Sequence, residues 1–170
     1  MNLESLAQFV DDLIIQSDYP GFEPRSLRIG LTQELERSPA KLFGQALKHD
    51  SVYVRLCALR WFQERPGFIK PYVRVMIEMV DDDDLWIRIE SIRALERFTH
   101  PTEEFATCVV KHLFDPELEV QKTACRALGK IGKRLKLKEG EVVDALSKVA
   151  EEGHNEVRHK AEKALRKIGA

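Results

Sequence analysis

The stretch 83–98, DDLWIRIESIRALERF, decides the fold. Counted from Ile87, positions +4, +8 and +11 are Ser91, Leu95 and Phe98, which share one side of an α-helix, with Glu90, Arg93, Glu96 and Arg97 away from it. The same pattern returns without internal gaps in DSVYVRLCALRWF (50–62), PELEVQKTACRALGKIG (116–132) and HNEVRHKAEKALRKIG (154–169). Their anchors are Val54, Val120 and Val157, so the four anchors are spaced by 33, 33 and 37 residues. The longer interval holds KRLKLKEGE (133–141), read as a loop insertion, with the glycines of GKIGK (129–133) as helix stop signals. A period of this length marks a repeat array, in which each unit buries its apolar side on its neighbours.

The columns of the alignment define that side. Position +4 reads Ala58, Ser91, Ala124, Ala161, small enough for close helix approach; +8 reads Phe62, Leu95, Leu128, Leu165; +11 reads Arg65, Phe98, Ile131, Ile168. Ahead of each of these second helices lies another apolar-periodic segment: Lys41–Lys48, Phe68–Val80, Glu103–Phe114 and Glu141–Glu151. Each unit therefore reads as a helical hairpin, with Pro39, Pro66, Pro101 and Pro116 at helix starts or between helices and Pro71 in a first turn. Two further helices, Leu3–Gln16 and Pro24–Arg37, flank the turn signal SDYPGF. The expectation is an all-α, right-handed α-α solenoid of about five hairpins. It comprises a degenerate capping repeat at 1–38 and four repeats at 39–66, 67–100, 101–138 and 139–170.

The pattern D-x-x-x-[VI]-R-x-x-A-x-x-A-L, complete or nearly so at 83–95, resembles the second helix of HEAT repeats. That resemblance implies a ladder of Asp–Arg hydrogen bonds between units, with Asp50 and Arg55, and Asp83 or Asp84 and Arg88, at its positions. Arg158 matches the Arg alone, and Gln121 stands where the third repeat would place an Arg. The short period is similar to that of compact, phycobilin-lyase-type HEAT-like repeats. The His-Glu dipeptides of the HEAT-like di-iron enzyme deoxyhypusine hydroxylase are absent, and so are the TPLH turn and the W-x-x-L-G-x-x-Y pattern of the other arrays with this period.

Composition narrows the function. Of 170 residues 44% are hydrophobic, enough for a sizeable core, and 27 basic against 28 acidic side chains leave no global field for nucleic acid or anionic lipid. The charge is polarised, from 5 basic and 8 acidic residues in 1–50 to 13 basic and 9 acidic in 117–170. Cys57, Cys108 and Cys125 form no CxxC pair, which points to a reducing, cytoplasmic setting and to thiols that behave as small hydrophobes. None of the five histidines falls in HExxH or near a cysteine at ligand spacing, and no GxSxG, GxGxxG or GxxxxGK[ST] occurs. Neither a metal, a cofactor nor catalysis is expected. Asp81–Asp84 lacks the spaced ligands of a calcium loop; one aspartate is expected to cap the helix starting near Leu85, the rest to be solvated.

What remains is a surface. Position +6 is Arg60, Arg93, Arg126 and Lys163, basic in every unit, and +10 adds Arg97, Lys130 and Lys167. In HEAT-like solenoids the second helices line the concave face, so these residues are expected to form a positive inner surface for an acidic segment of another protein. The competing reading makes them a solvated face paired to nearby glutamates, as Glu90 to Arg93 and Arg97. Tyr53 and Trp86 precede their anchors, and Leu56 and Ile89 follow at +2, an apolar patch beside the basic rear or else packing between units; Trp61 is assigned to the core. The function expected is a non-catalytic interaction scaffold. A phycobilin lyase or lyase accessory protein, and nucleic-acid binding through the basic rear including KRLKLK (133–138), are the alternatives.

Overall fold

The computed structural model describes residues 2–16 and 40–170. Over these residues the chain forms nine α-helices and four short 3-10 helices with no strand. Helix α1 (Leu3–Gln16) has the expected bounds; the expected helix Pro24–Arg37, and with it most of the capping repeat, lies outside the described residues. The second helices are α3 (Val52–Glu64), α5 (Leu85–Arg97), α7 (Leu118–Leu135) and α9 (Asn155–Ile168). The first helices are α2 (Ala40–Ala46), α4 (Val73–Glu78), α6 (Glu103–Val110) and α8 (Glu141–Glu152).

Two of the first helices, α4 and α6, are shorter than the apolar pattern predicts, whereas α2 and α8 keep the expected bounds to within two residues. The segment Phe68–Val80 holds a six-residue α4 between the 3-10 turns Lys70–Tyr72 and Met79–Asp81; the first of these turns contains Pro71, which supplies no amide and restrains the residue before it. The end of Glu103–Phe114 tightens likewise into the 3-10 turn Lys111–Phe114.

The second helices pack side by side in chain order, α3 on α5, α5 on α7 and α7 on α9. All four anchors and all four +4 residues are fully buried. The hydroxyl of Ser91, the one polar member, donates back to the Ile87 carbonyl at 2.6 Å, so it enters the core satisfied. Trp61 is in the core as expected, stacked on Phe43 with ring centroids 4.4 Å apart and joining α2 to α3.

The glycines of GKIGK do not end a helix. Gly129 and Gly132 lie inside α7 where α9 comes closest: a Cβ on Gly129 would stand 2.8 Å from the Ala164 Cα, and one on Gly132 2.8 Å from Ile168 Cδ1. The first residues of the basic insertion lengthen α7 to Leu135, and residues 136–140 alone turn the chain toward α8. Arg134, in that extension, donates to the carbonyls of Phe98 and Thr99 at 2.6 Å.

An Asp–Arg ladder links the units, one aspartate away from the expected register. Arg55 binds its own unit's His49 and Asp50 carbonyls and reaches forward to the Asp82 carboxylate at 3.3 Å. Arg88 repeats this with the carbonyls of Asp82 and Asp83 and a two-pronged contact to Asp115 at 3.0 and 3.2 Å. Asp50 and Asp83 thus contribute carbonyls, and each carboxylate comes from the following unit. In the third unit Gln121 gives a single bond to the Asp115 carbonyl, and Arg158 binds the Ala150 carbonyl. Within the acidic run, Asp84 caps α5 as expected. Its neighbours are not merely solvated: Asp82 takes Arg55, and Asp81 takes Lys111 and His112.

Candidate interaction face

The regular second helices bring positions −1, +3, +6, +9 and +10 onto one side of the layer, so the basic stripe falls on one surface. Its members meet different fates. At the junction of α3 and α5, Glu90 on α5 is only 3% exposed and gathers Arg93 at 2.7 Å, Arg60 at 3.6 Å and the Gln63 amide at 2.6 Å. Burial pulls the Arg60 guanidinium below its ordinary pKa, with Glu90 opposing the shift. Arg97 takes the Gln63 carbonyl at 3.1 Å rather than Glu90. At the junction of α5 and α7, Glu96, 4% exposed, holds Arg126 at 3.0 Å and also Lys130.

At the junction of α7 and α9 a groove of about 540 Å³ opens. It brings the expected Arg93, Arg126, Lys163 and Lys167 together with Lys122 and Lys160, around a floor that includes Gly129 and Ala164. Its two carboxylates, Glu119 and Glu156, stand at position −1 and both bind Lys122, at 2.5 and 2.7 Å. Those hydrogen bonds raise the Lys122 pKa and lower that of Glu156. Lys167 is shifted the other way, by partial burial first and then by Lys130, with Lys133 and Lys163 adding to it against Glu96. Among the described residues, no carboxylate lies within ion-pair distance of Lys160, Lys163 or Lys167.

The expected apolar patch is smaller than its four residues. Tyr53 and Trp86 are 38% and 41% exposed, but Leu56 and Ile89 are buried in the core. Position +2 faces the neighbouring second helix, and there Leu56 and Ile89 fill the interface. The later units place Lys122 and His159 at +2, and these line the groove.

Glu96 and Lys160, the place of Gly129 in the groove, and the pairing of Glu90 across units were not read from the sequence. Their signal lies in columns +3 (Cys57, Glu90, Thr123, Lys160) and +9 (Gln63, Glu96, Gly129, Arg166), which vary too much to register as a pattern.

The thiols are poor nucleophiles. Burial pushes Cys57 and Cys125 up to about 12 and Cys108 to about 11. Among the described residues no group of three or more His, Cys, Asp or Glu side chains is arranged to hold a metal ion, and no helix is long and apolar enough to cross a membrane.

No family model matches the chain, and no curated protein matches it. Solved structures do. A designed armadillo repeat protein in complex with the peptide (KR)4 is similar at 17% identity, over 98% of this chain and 87% of that one, with a TM-score of 0.67. An engineered protein is similar at 18% identity, over 99% and 86% of the two chains, TM-score 0.63. Another is similar at 21% identity, over 86% and 67%, TM-score 0.61. These likenesses show the fold class: an all-α solenoid of armadillo-like helical repeats.

Proposed function

We propose that the chain is a non-catalytic interaction scaffold, built of four compact HEAT-like repeats at 39–66, 67–100, 101–138 and 139–170 behind a capping repeat at 1–38. It captures an acidic segment of a partner protein on the concave face formed by its second helices. The observation that carries this reading is the groove between α7 and α9, where Lys160, Lys163 and Lys167 stand with no carboxylate at ion-pair distance among the described residues, beside the paired Arg93, Lys122 and Arg126. Such a local excess of positive charge on a chain of net charge −1 selects for anionic side chains without attracting polyanions to the whole surface. The designed armadillo repeat protein holds a peptide of alternating Lys and Arg. The architecture here is used with the opposite polarity. Trp86 and Tyr53, exposed on the same layer, supply apolar contacts beside the charged ones.

Fluorescence anisotropy with a labelled hexaglutamate peptide tests the reading. The wild-type chain is expected to bind and to lose affinity steeply as salt rises. Charge reversal at Arg93, Arg97 and Arg126 together is expected to abolish binding while the helical circular dichroism persists. Unchanged binding by that variant would sink the reading.

A further inference from the structure

Junctions between successive second helices are built on a common plan, and one of them lacks a part that the others have. Where α3 meets α5, the buried carboxylate is Glu90, at position +3 of the later helix. Where α5 meets α7, it is Glu96, at +9 of the earlier helix, held by the +6 and +10 cations of the later one, Arg126 and Lys130. Where α7 meets α9, the corresponding positions carry Lys160 at +3 and Gly129 at +9, and neither supplies a negative charge. The +6 and +10 cations are nevertheless present as Lys163 and Lys167, and the 540 Å³ groove opens between them and Gly129.

From this comparison we infer that the third junction is completed by a carboxylate of the bound acidic peptide, which takes between Lys163 and Lys167 the place that Glu96 takes between Arg126 and Lys130. The inference rests on the interaction reading above and adds to it a specific anchor and a reason for it. The chain cannot supply the missing group at position 129, because any Cβ there would press on the Ala164 backbone. The close helix approach that requires glycine therefore also leaves Lys163 and Lys167 with no carboxylate at ion-pair distance among the described residues. The carboxylates that line the groove, Glu119 and Glu156, both at position −1, are engaged with Lys122. The lowered pKa of Lys167 reflects its partial burial and its neighbours Lys130, Lys133 and Lys163, and a bound carboxylate would relieve it.

Glu96 and Glu90 acquire a second role on this account. By pairing with the stripe at the first two junctions, they leave the third as the place where a peptide carboxylate is anchored and so set the register of the ligand on the array, while Arg93 and Arg126, which also line the groove, face the rest of the peptide.

The test uses the full chain and the hexaglutamate probe at about 50 mM salt, where surface charges are weakly screened. The double variant Lys163→Gln/Lys167→Gln is expected to weaken binding about tenfold or more, with Lys70→Gln/Arg74→Gln, both exposed and outside the groove, as a matched loss of two surface cations and no effect. Glu96→Gln keeps the side-chain shape and releases Lys130, so it is expected to tighten binding about threefold or more. If the wild-type chain fails to bind the probe, the interaction reading falls and this inference with it. If the wild-type chain binds, and reversal of Arg93, Arg97 and Arg126 abolishes binding while the lysine double variant does not weaken it, this inference alone is overturned. Binding that is unchanged or weakened in Glu96→Gln overturns it as well.

Discussion

Asp115, with its side chain 5% exposed, lies in the turn before α7 and joins two units through Arg88. Burial acts to raise its pKa. The Glu117 amide, the Arg88 guanidinium and His112 together outweigh that, and the carboxyl sits below its ordinary value. A carboxyl whose folded pKa is depressed contributes stability that is fully present above the unfolded value of about 3.9 and is lost as pH falls toward the folded one. Arg88→Ala would strand this charge at neutral pH. The expected cost is about 3 kcal/mol in urea denaturation at pH 7, since breaking a buried pair leaves its partner uncompensated. The deficit should shrink as pH falls below the unfolded value of about 3.9, because the stability that the depressed Asp115 carboxyl contributes is lost there. An equal deficit at pH 3 and pH 7 would show that the loss is one of packing and not of charge.

Helix α7 ends on Lys136 in the left-handed region, φ 59, where its amide bonds back to Lys133 and that of Leu137 bonds to Gly132. This closure satisfies the last carbonyls but strains a residue with a Cβ. Lys136→Gly is expected to raise stability by about 0.5–1 kcal/mol, measured as a higher melting temperature; a lower one would mean that the lysine stem contributes more than the strain costs. Helices such as α7 were legible in the sequence because one residue class recurs at each buried column, which makes four weak signals one strong one. The end of α7 was not, because Gly129 and Gly132 read locally as stop signals and only the approach of α9 makes them helix interior. The true ladder partners, Asp82 and Asp115, were hidden for a related reason: which carboxylate reaches across depends on the neighbouring unit. The cations of the interaction face were legible by column, whereas their division into paired and unpaired groups rests on Glu90 and Glu96, whose partners include residues 27 to 34 positions away.

In an array of this kind each unit is stabilised by its own hairpin and by the interfaces with its immediate neighbours. Helices α5 and α7 have a second helix packed on either side, whereas α9, among the described residues, packs mainly on α7 and α8. The junction that holds α9 is also the one where Lys130, Lys133, Lys163 and Lys167 crowd together. Repulsion across the whole molecule is slight at a net charge of −1, so this local repulsion is the electrostatic load that distinguishes one junction from another. Hydrogen exchange should therefore rank the elements, with α5 and α7 opening at the highest free energy and α8 and α9 at a lower one. A ligand that binds only the closed junction stabilises it by mass action. Saturating hexaglutamate is accordingly expected to slow exchange in α8, α9 and the facing turns of α7, with little change in α3. A uniform slowing along the chain would place the anion's effect on the molecule as a whole, and protection confined to α3 and α5 would put the site at the aromatic end of the layer.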